Sequence, residues 1–249
     1  MCQVPELRTS EPQQLQYKQQ AAEHAVTFVE SGMLVGLGTG STAIFATRRL
    51  AELLHQGKLR DILSFATSRA TWAEAQRLRI PLLAQEMPRD IDLTIDGADE
   101  VDPQLNVIKG GGGALLREKI VAQASKRVVI TVDESKLSPC LGTLHPVPVE
   151  VLAFGWRSQA RFLESLRAKI AVRKNPDGSQ FATDSGNMIL DCDFGPIADL
   201  ARLAESLSRR AGIVEHGLFL ELATDVIIAG PAGIEHRTRQ RWQPTELKK

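Results

Sequence analysis

The sequence predicts an α/β protein: an open, mostly parallel (Rossmann-like) sheet domain with a smaller α+β domain of the ferredoxin-like, split βαβ type. Three observations lead to this class. Short apolar segments alternate with segments of helical apolar spacing through the first half of the chain, which is the pattern of βαβ units. From about residue 147 to residue 220 the predicted order becomes β-α-β-β-α-β. A very apolar strand, 225–229, then suits the interior of the parallel sheet.

The first half of the chain supplies the elements of the parallel sheet. A helix is predicted from Tyr17 to Glu30, where apolar residues recur at helical spacing until Ser31-Gly32 ends it. Further on, the pattern predicts strands over 33–37, 62–66, 80–83, 92–96 and 128–132, and helices over 42–54, 72–78 and 115–125.

The second half predicts the smaller domain. Strands are expected over 147–152, 170–173, 188–192 and 213–220, and helices over 156–166 and 197–207, with a strong turn signal at 175–178. We therefore predict an α/β domain of residues 17–144 plus 220–240, and a ferredoxin-like domain of residues 145–219. Residues 1–16 and 241–249 are predicted to be polar tails.

Composition excludes several classes of function. Lys+Arg and Asp+Glu both number 30, which argues against a general nucleic-acid binder. The three cysteines, Cys2, Cys140 and Cys192, form no C-x-x-C pair, so neither a disulfide framework nor a zinc site is expected. No apolar run approaches the roughly 20 residues that a membrane-spanning helix needs. These features predict a cytoplasmic protein that binds neither membranes nor nucleic acid.

Polar clusters follow five of the predicted strands. Ligands of open α/β sheets bind at the carboxyl ends of the strands, so these clusters are expected to form one site. They are Gly38-Thr-Gly-Ser-Thr42, Thr67-Ser68, Asp96-Gly-Ala-Asp-Glu100, Lys109-Gly-Gly-Gly-Gly113 and Asp133-Glu-Ser-Lys136.

The first cluster indicates a small phosphate. Its glycines let the backbone approach a ligand, and the amides that open the next helix favour an anion. Ser41 and Thr42 add hydroxyl donors. Neither G-x-G-x-x-G spacing nor a Gly-Lys-Ser/Thr loop is present, so a dinucleotide or a nucleoside triphosphate is less favoured. The alternative is an ordinary strand-to-helix turn with a Ser/Thr N-cap.

The third and fourth clusters, 96–100 and 109–113, are expected to supply acid–base chemistry. Asp96, Asp99 and Glu100 could hold sugar hydroxyls or move protons between oxygens; the alternative is an acidic turn. The four glycines after Lys109 expose backbone N–H groups that could stabilise an oxyanion. Glu118, on the next helix, could have a raised pKa and act as a base. Composition alone favours a solvated helix face for it, between Arg117 and Lys119.

Two further lysines, Lys18 and Lys136, could reach a phosphate, although a lone lysine is usually a surface residue. No nucleophilic cysteine, Ser–His pair or metal-ligand spacing is evident. The residues thus predict a phosphorylated small polar ligand and, as reaction class, proton transfer next to a carbonyl.

The blocks GLGTGSTA (36–43), DGADEVD (96–102), KGGGGALLREKI (109–120) and VDESK (132–136) closely resemble type A ribose-5-phosphate isomerases. Further similar blocks are VPVEV (147–151), TDSGNMILD (183–191) and GIVEHGLF (212–219). The resemblance extends from about Tyr17 to Gly233.

This resemblance implies an aldose–ketose isomerase that interconverts ribose 5-phosphate and ribulose 5-phosphate through an enediolate. Glu118 would be the general base, and Asp96, Asp99 and Lys109 would bind sugar oxygens and stabilise charge. The remaining substrate contacts implied are Lys18, Thr39, Gly40, Ser41, Thr42, Gly97, Ala98, Gly110, Gly111, Gly112 and Lys136. The family uses no metal or organic cofactor, and a homodimer or homotetramer is expected.

Two other functions stay open. A CoA-transferase-like enzyme would use a catalytic glutamate to form a glutamyl thioester, but the DGADE and KGGGG blocks argue against it. A non-catalytic sugar-phosphate sensor would bind without turnover, yet no basic helix or spare DNA-binding domain is evident. The Thr67–Thr71 segment falls where the family has a variable loop, and the sequence assigns it no role.

Overall fold

Helices and strands alternate along the chain much as the apolar spacing predicts. The computed structural model describes residues 10–84 and 86–239, and these contain six α-helices and thirteen strands. The helices are α1 (Glu11–Val26), α2 (Ala43–His55), α3 (Arg69–Arg77), α4 (Leu115–Gln123), α5 (Trp156–Ser165) and α6 (Leu200–Ser208). The strands are β1 (Leu34–Leu37), β2 (Leu63–Ala66), β3 (Leu93–Gly97), β4 (Glu100–Val101), β5 (Val107–Ile108), β6 (Val128–Asp133), β7 (Val147–Val151), β8 (Lys169–Val172), β9 (Met188–Asp193), β10 (Ile213–His216), β11 (Leu218–Phe219), β12 (Asp225–Gly230) and β13 (Gly233–Thr238).

The large sheet has six strands in the order β13-β12-β6-β3-β1-β2. All neighbouring pairs are parallel except β12 with β13. Every residue of β6 and β12 is buried, as expected for strands covered on both faces. The apolar face of α1 packs with α2 on one side of the sheet, where Ala22, Val35 and Ile227 belong to one core. The predicted α/β class is therefore confirmed.

The smaller unit has a four-stranded antiparallel sheet in the order β10-β7-β9-β8. Val147, Val149 and Val151 alternate along β7 toward a core that also contains Leu163 of α5 and Leu207 of α6, as expected for residues two apart on one face of a strand. Numbered within this unit, the strands lie in the order 4-1-3-2, and the β-α-β-β-α-β succession is the predicted one. The division of the whole chain into two domains stays a prediction.

A third, three-stranded antiparallel sheet, β11-β5-β4, joins the two units. The sequence predicts a single strand over 213–220, but the chain bends at Gly217 and divides it into β10 and β11. The N–H of Gly217 donates to Pro148 O, and Gly217 O accepts from Lys109 N at 2.9 Å. This junction fixes the backbone of Lys109 between the two units.

Several predicted boundaries are wrong. Helix α1 begins at Glu11 rather than Tyr17 and ends at Val26, because its first turns are polar and mostly exposed and give no apolar period. Residues 11–16 are thus helical rather than tail; residues 1–9 and 240–249 lie outside the described residues. Segment 80–83 is not a strand and makes only an isolated bridge between Leu82 and Ser64. The sequence misses β13, an exposed edge strand without an apolar face.

Candidate active site

A cavity of about 210 Å³ lies at the carboxyl ends of β1 and β3. The start of α4 and the glycine turn, Gly110–Gly113, complete its walls. Its lining contains every predicted site residue except Asp96: Lys18, Thr39, Gly40, Ser41, Thr42, Gly97, Ala98, Asp99, Lys109, Gly110, Gly111, Gly112, Glu118 and Lys136. Asp96 lies directly behind this lining, in contact with Lys109. The structure thus brings the predicted residues into one place.

A buried ammonium lies between two carboxylates at the base of the cavity. The Nζ atom of Lys109 is 3.0 Å from Asp96 Oδ2 and 3.2 Å from Glu118 Oε1, and it donates to Gly97 O at 2.7 Å. All three side chains are 4% exposed. Burial opposes the charge on Lys109, but the carboxylates of Asp96 and Glu118 outweigh it and raise the pKa of Lys109. The lysine therefore stays protonated.

Burial raises the pKa of both Asp96 and Glu118. Burial, with the negative charge of Asp96, raises the pKa of Glu118 to about 8, although Lys109 opposes the shift. Its Oε2 atom is buried without a hydrogen-bond partner among the described residues. Asp96, by contrast, also accepts from the N–H groups of Thr39 and Gly97. Because interacting carboxylates titrate as a pair, the group with fewer donors holds the shared proton more readily.

Two further lysines and several hydroxyl groups also line the cavity. Lys18, from α1, donates to Ser41 Oγ at 3.2 Å, and Lys136 follows β6 in a short 3₁₀ helix. The loop from Gly38 to Thr42 lies directly before α2. A Cβ atom at Gly38 would be 2.2 Å from Asp96 Oδ1, so only glycine lets this loop approach the carboxylate. Such an arrangement of ammonium groups, hydroxyls and helix-terminal amides binds phosphate well.

A hydroxyl cluster explains the Thr67–Thr71 segment. Thr39 Oγ1 donates to Ser68 Oγ at 2.8 Å and lies 2.7 Å from Thr67 Oγ1 and 3.1 Å from Thr71 Oγ1. Thr71 in turn donates to Gly38 O at 2.9 Å. Since these hydroxyls bond to one another and to the loop, their role is to hold the Gly38–Thr42 backbone in place.

Glu100, the third acid of the DGADE block, points away from the cavity. It is fully buried and accepts hydrogen bonds from Ser138 Oγ at 2.5 Å and from the N–H groups of Gly142, Thr143 and His145. Asp96 and Asp99 therefore lie at the cavity, whereas Glu100 anchors the 138–145 loop that follows Lys136.

We expect Glu100→Ala to lower the free energy of unfolding by about 3 kcal/mol, because buried donors would lose a charged acceptor. Urea denaturation measures this change. Glu52→Ala, at a glutamate whose side chain is 57% exposed, is the control and should change stability by less than about 0.5 kcal/mol. Equal stability of the two variants would contradict an anchoring role for Glu100.

The glycine turn is bonded on both of its sides. Gly111 N–H donates to Asp99 Oδ2 at 2.7 Å on the cavity side. On the outer side Arg173, which directly follows β8 in the smaller unit, donates to Gly110 O and Gly111 O. Sequence reasoning misses Arg173, because its contact depends on how the two units pack together. The TDSGNMILD block that begins ten residues later gives no local signal for it.

Within residues 10–84 and 86–239, no group of three or more His, Cys, Asp or Glu side chains could hold a metal ion. No helix in this part of the chain is long and apolar enough to cross a membrane.

The family model for ribose 5-phosphate isomerase A (phosphoriboisomerase A) matches residues 63–233. Ribose-5-phosphate isomerase A of Chloroflexus aurantiacus is 58% identical over 221 residues, which cover 89% of this chain and 92% of that protein. The chain belongs to the type A ribose-5-phosphate isomerase family. Its blocks at 36–43, 96–102, 109–120 and 132–136 all line or support the cavity described above.

Solved structures of the family have the same fold. The ribose 5-phosphate isomerase of Plasmodium falciparum aligns with a TM-score of 0.88 and 38% identity, covering 92% of this chain and 100% of that one. A D-ribose-5-phosphate isomerase in complex with phospho-erythronic acid also aligns with a TM-score of 0.88, at 36% identity, covering 90% of this chain and 98% of that one.

Proposed function

We propose that this chain interconverts D-ribose 5-phosphate and D-ribulose 5-phosphate through an enediolate, with Glu118 as the general base. One observation carries the proposal. Glu118 is a buried carboxylate with a raised pKa and one unpartnered oxygen, and it lines the cavity beside Lys109. A carboxylate of this kind suits proton abstraction next to a carbonyl.

The residues divide the reaction between them. In the open-chain aldose, ionised Glu118 takes the proton from C2, and the carbonyl electron pair moves onto O1. Lys109 and the N–H of Gly112 in the glycine turn stabilise this oxyanion. Asp99 holds the O1 and O2 hydroxyl groups and helps to move a proton between these oxygens. Asp96, behind the cavity lining, holds Lys109 in place, and Lys109 and the two aspartates assist ring opening. Protonated Glu118 then returns its proton to C1, which leaves the carbonyl at C2.

The phosphate is proposed to lie at the opposite end of the cavity. Lys18 and Lys136 supply charge there, and Ser41 and Thr42 supply donors, together with the backbone of Thr39 and Gly40. Gly97 and Ala98 line the sugar between the two ends. The 3.2 Å contact between Lys18 and Ser41 supports a shared anion at this position.

The test is conversion of ribose 5-phosphate by the purified chain in D₂O with EDTA present, followed by NMR. We expect ketose formation with incorporation of solvent deuterium, because the transferred proton resides on Glu118 and can exchange. Tight sugar-phosphate binding without turnover would refute the proposal and favour the sensor. A covalent adduct trapped with an acyl-CoA would favour the CoA-transferase reading.

The pH dependence of kcat/KM reports on Glu118. Only its ionised form accepts a proton, so we expect kcat/KM to rise with pH and to be half-maximal near the Glu118 pKa of about 8. The second ionisation of a substrate phosphate, near pH ~6, is a separate step in the profile. A single rise near the ordinary glutamate pKa of 4.5 would contradict the assignment.

Three further parts of the proposal rest on the family resemblance and on composition. The enzyme needs no metal or cofactor, it is cytoplasmic, and it forms a homodimer or homotetramer. Light scattering of the purified chain measures the assembly, and a monomer at micromolar concentration would contradict that part.

A further inference from the structure

An arginine of the smaller unit holds the glycine turn from its outer side. The Nη1 atom of Arg173 donates to Gly110 O at 2.6 Å and to Gly111 O at 3.0 Å. Its Nε atom donates to Asp191 Oδ2 at 3.0 Å, and its Nη2 atom bonds to the other carboxylate oxygen of Asp191. All three nitrogens of the guanidinium are thus engaged, and the side chain is only 14% exposed. The direction of both carbonyl groups is therefore fixed.

The direction of a carbonyl determines the direction of the next N–H. In a trans peptide the C=O and N–H groups point to opposite sides, and the described residues contain no cis peptide. Gly110 O faces Arg173, and the N–H of Gly111 accordingly points the other way, to Asp99 in the cavity lining. By the same geometry, the bond from Arg173 to Gly111 O directs the N–H of Gly112 toward the cavity that Gly112 lines.

The turn alone does not fix this direction. Gly113 N–H donates to Gly110 O at 2.9 Å and closes a four-residue turn, in which neither Gly111 nor Gly112 has a positive φ. A type II turn would reverse the central peptide and needs a positive φ at the third residue, which is Gly112. Glycine adopts that conformation readily, so a contact from outside the turn is needed to select one orientation.

We infer that Arg173 is a positioning residue that keeps the central peptide of the glycine turn oriented so that the N–H of Gly112 faces the oxyanion of the substrate. The inference rests on the proposed isomerase function. Arg173 does not contact the substrate; it acts through the backbone. Loss of one donor from an oxyanion site lowers kcat by about 10²- to 10³-fold, and a peptide that can rotate loses part of that contribution.

Arg173→Gln and Arg173→Lys test the inference through two ligands. Phospho-erythronic acid carries a carboxylate where the oxyanion would develop, whereas inorganic phosphate occupies the phosphate end alone. We expect Arg173→Gln to lower kcat and to weaken binding of the acid by about tenfold or more, with the affinity for inorganic phosphate unchanged. Arg173→Lys keeps one cationic donor and should lie between Arg173→Gln and the wild type.

Arg239→Gln is the matched control, since Arg239 also donates to two backbone carbonyls, those of Ala223 and Leu105, which do not line the cavity. It should leave both affinities unchanged. Asp191→Asn is a second variant, which weakens the bonds between residue 191 and Arg173 without removing Arg173. It should lower kcat and the affinity for phospho-erythronic acid by less than Arg173→Gln does.

The inference is overturned if Arg173→Gln binds phospho-erythronic acid as tightly as the wild type. It is also overturned if the variant loses affinity for the acid and for inorganic phosphate in equal proportion, because that result indicates general damage to the fold. Absence of turnover in the wild type would refute the proposed function instead. The ratio of the two affinities still decides the role of Arg173 in that case, since binding requires no turnover.

Discussion

Replacing Glu118 with glutamine is expected to lower kcat by about 10²- to 10⁴-fold, the usual contribution of a positioned acid–base group. Glutamine has almost the same shape, and its carbonyl oxygen can still accept from Lys109, which lies 3.2 Å from Glu118 Oε1 in the wild type. The amide cannot accept the C2 proton. Steady-state kinetics with ribose 5-phosphate measure the loss, and deuterium incorporation from D₂O should disappear with it.

Two other measurements separate lost chemistry from lost structure in Glu118→Gln. Above the Glu118 pKa of about 8, phospho-erythronic acid should bind no more weakly than to the wild type, because the substitution removes a negative charge near its carboxylate. The urea midpoint should not fall, because the substitution also removes the cost of burying a second carboxylate beside Asp96. Glu205→Gln, at a glutamate that is 65% exposed, is the control for activity. A Glu118→Gln enzyme with more than about a tenth of wild-type kcat would exclude Glu118 as the base.

Lys109→Met is expected to reduce both activity and stability. The variant lacks the ammonium that, in the proposed mechanism, faces the developing oxyanion, and such a loss corresponds to about 10²- to 10³-fold in kcat. It also leaves Asp96 and Glu118 buried without their shared cation. Removing one partner of a buried ion pair lowers the free energy of unfolding by about 3 kcal/mol or more. Kinetics and urea denaturation on the same preparation measure both losses.

The stability loss in Lys109→Met should depend on pH in a defined direction. Without the ammonium, the buried carboxylates favour their protonated forms still more, so their pKa values rise further above those of the unfolded chain. A group of this kind stabilises the fold below its unfolded pKa and loses that contribution as pH rises. The deficit relative to the wild type should therefore be smaller at about pH 5 than at about pH 8.

Lys169→Met is the control for Lys109→Met, because the side chain of Lys169 is 89% exposed. The free energy of unfolding of this control should change by less than about 0.5 kcal/mol. A Lys109→Met variant with the wild-type urea midpoint at both pH values would show that the buried pair does not contribute to the fold.

Much of the site could be predicted because the topology forces it together. Glycine, hydroxyl and acidic residues at the carboxyl ends of parallel strands must meet at one edge of the sheet. Here the N–H of Thr39, after β1, donates to Asp96 Oδ1 of β3 at 3.1 Å. The burial of Glu118 was less predictable. Composition favoured a solvated face, and only the packing of α4 against the cavity places this residue at 4% exposure.

Other features depend on contacts that no local pattern records. Glu100 and Asp99 are adjacent and chemically alike, yet the backbone N–H groups of Gly142 and Thr143, about 40 residues later in the sequence, donate to Glu100 and not to Asp99. The contact of Arg173 with the glycine turn requires the smaller unit to be folded and packed. The sequence does not predict the start of α1 at Glu11, because a polar, exposed turn has no apolar period.

The position of β12 has a consequence for synthesis of the chain. This fully buried strand pairs with β6 and packs against α1, although residues 225–230 follow the whole of the smaller unit. Ribosomes release a chain from its N-terminus at about 5–20 residues per second, so α1 and β6 emerge well before their partner strand. The edge of β6 that pairs with β12 therefore stays uncovered for seconds, until residues 225–230 have been synthesised. During that interval the nascent chain presents the kind of surface that chaperones bind, and a truncation before residue 225 would make the exposure permanent.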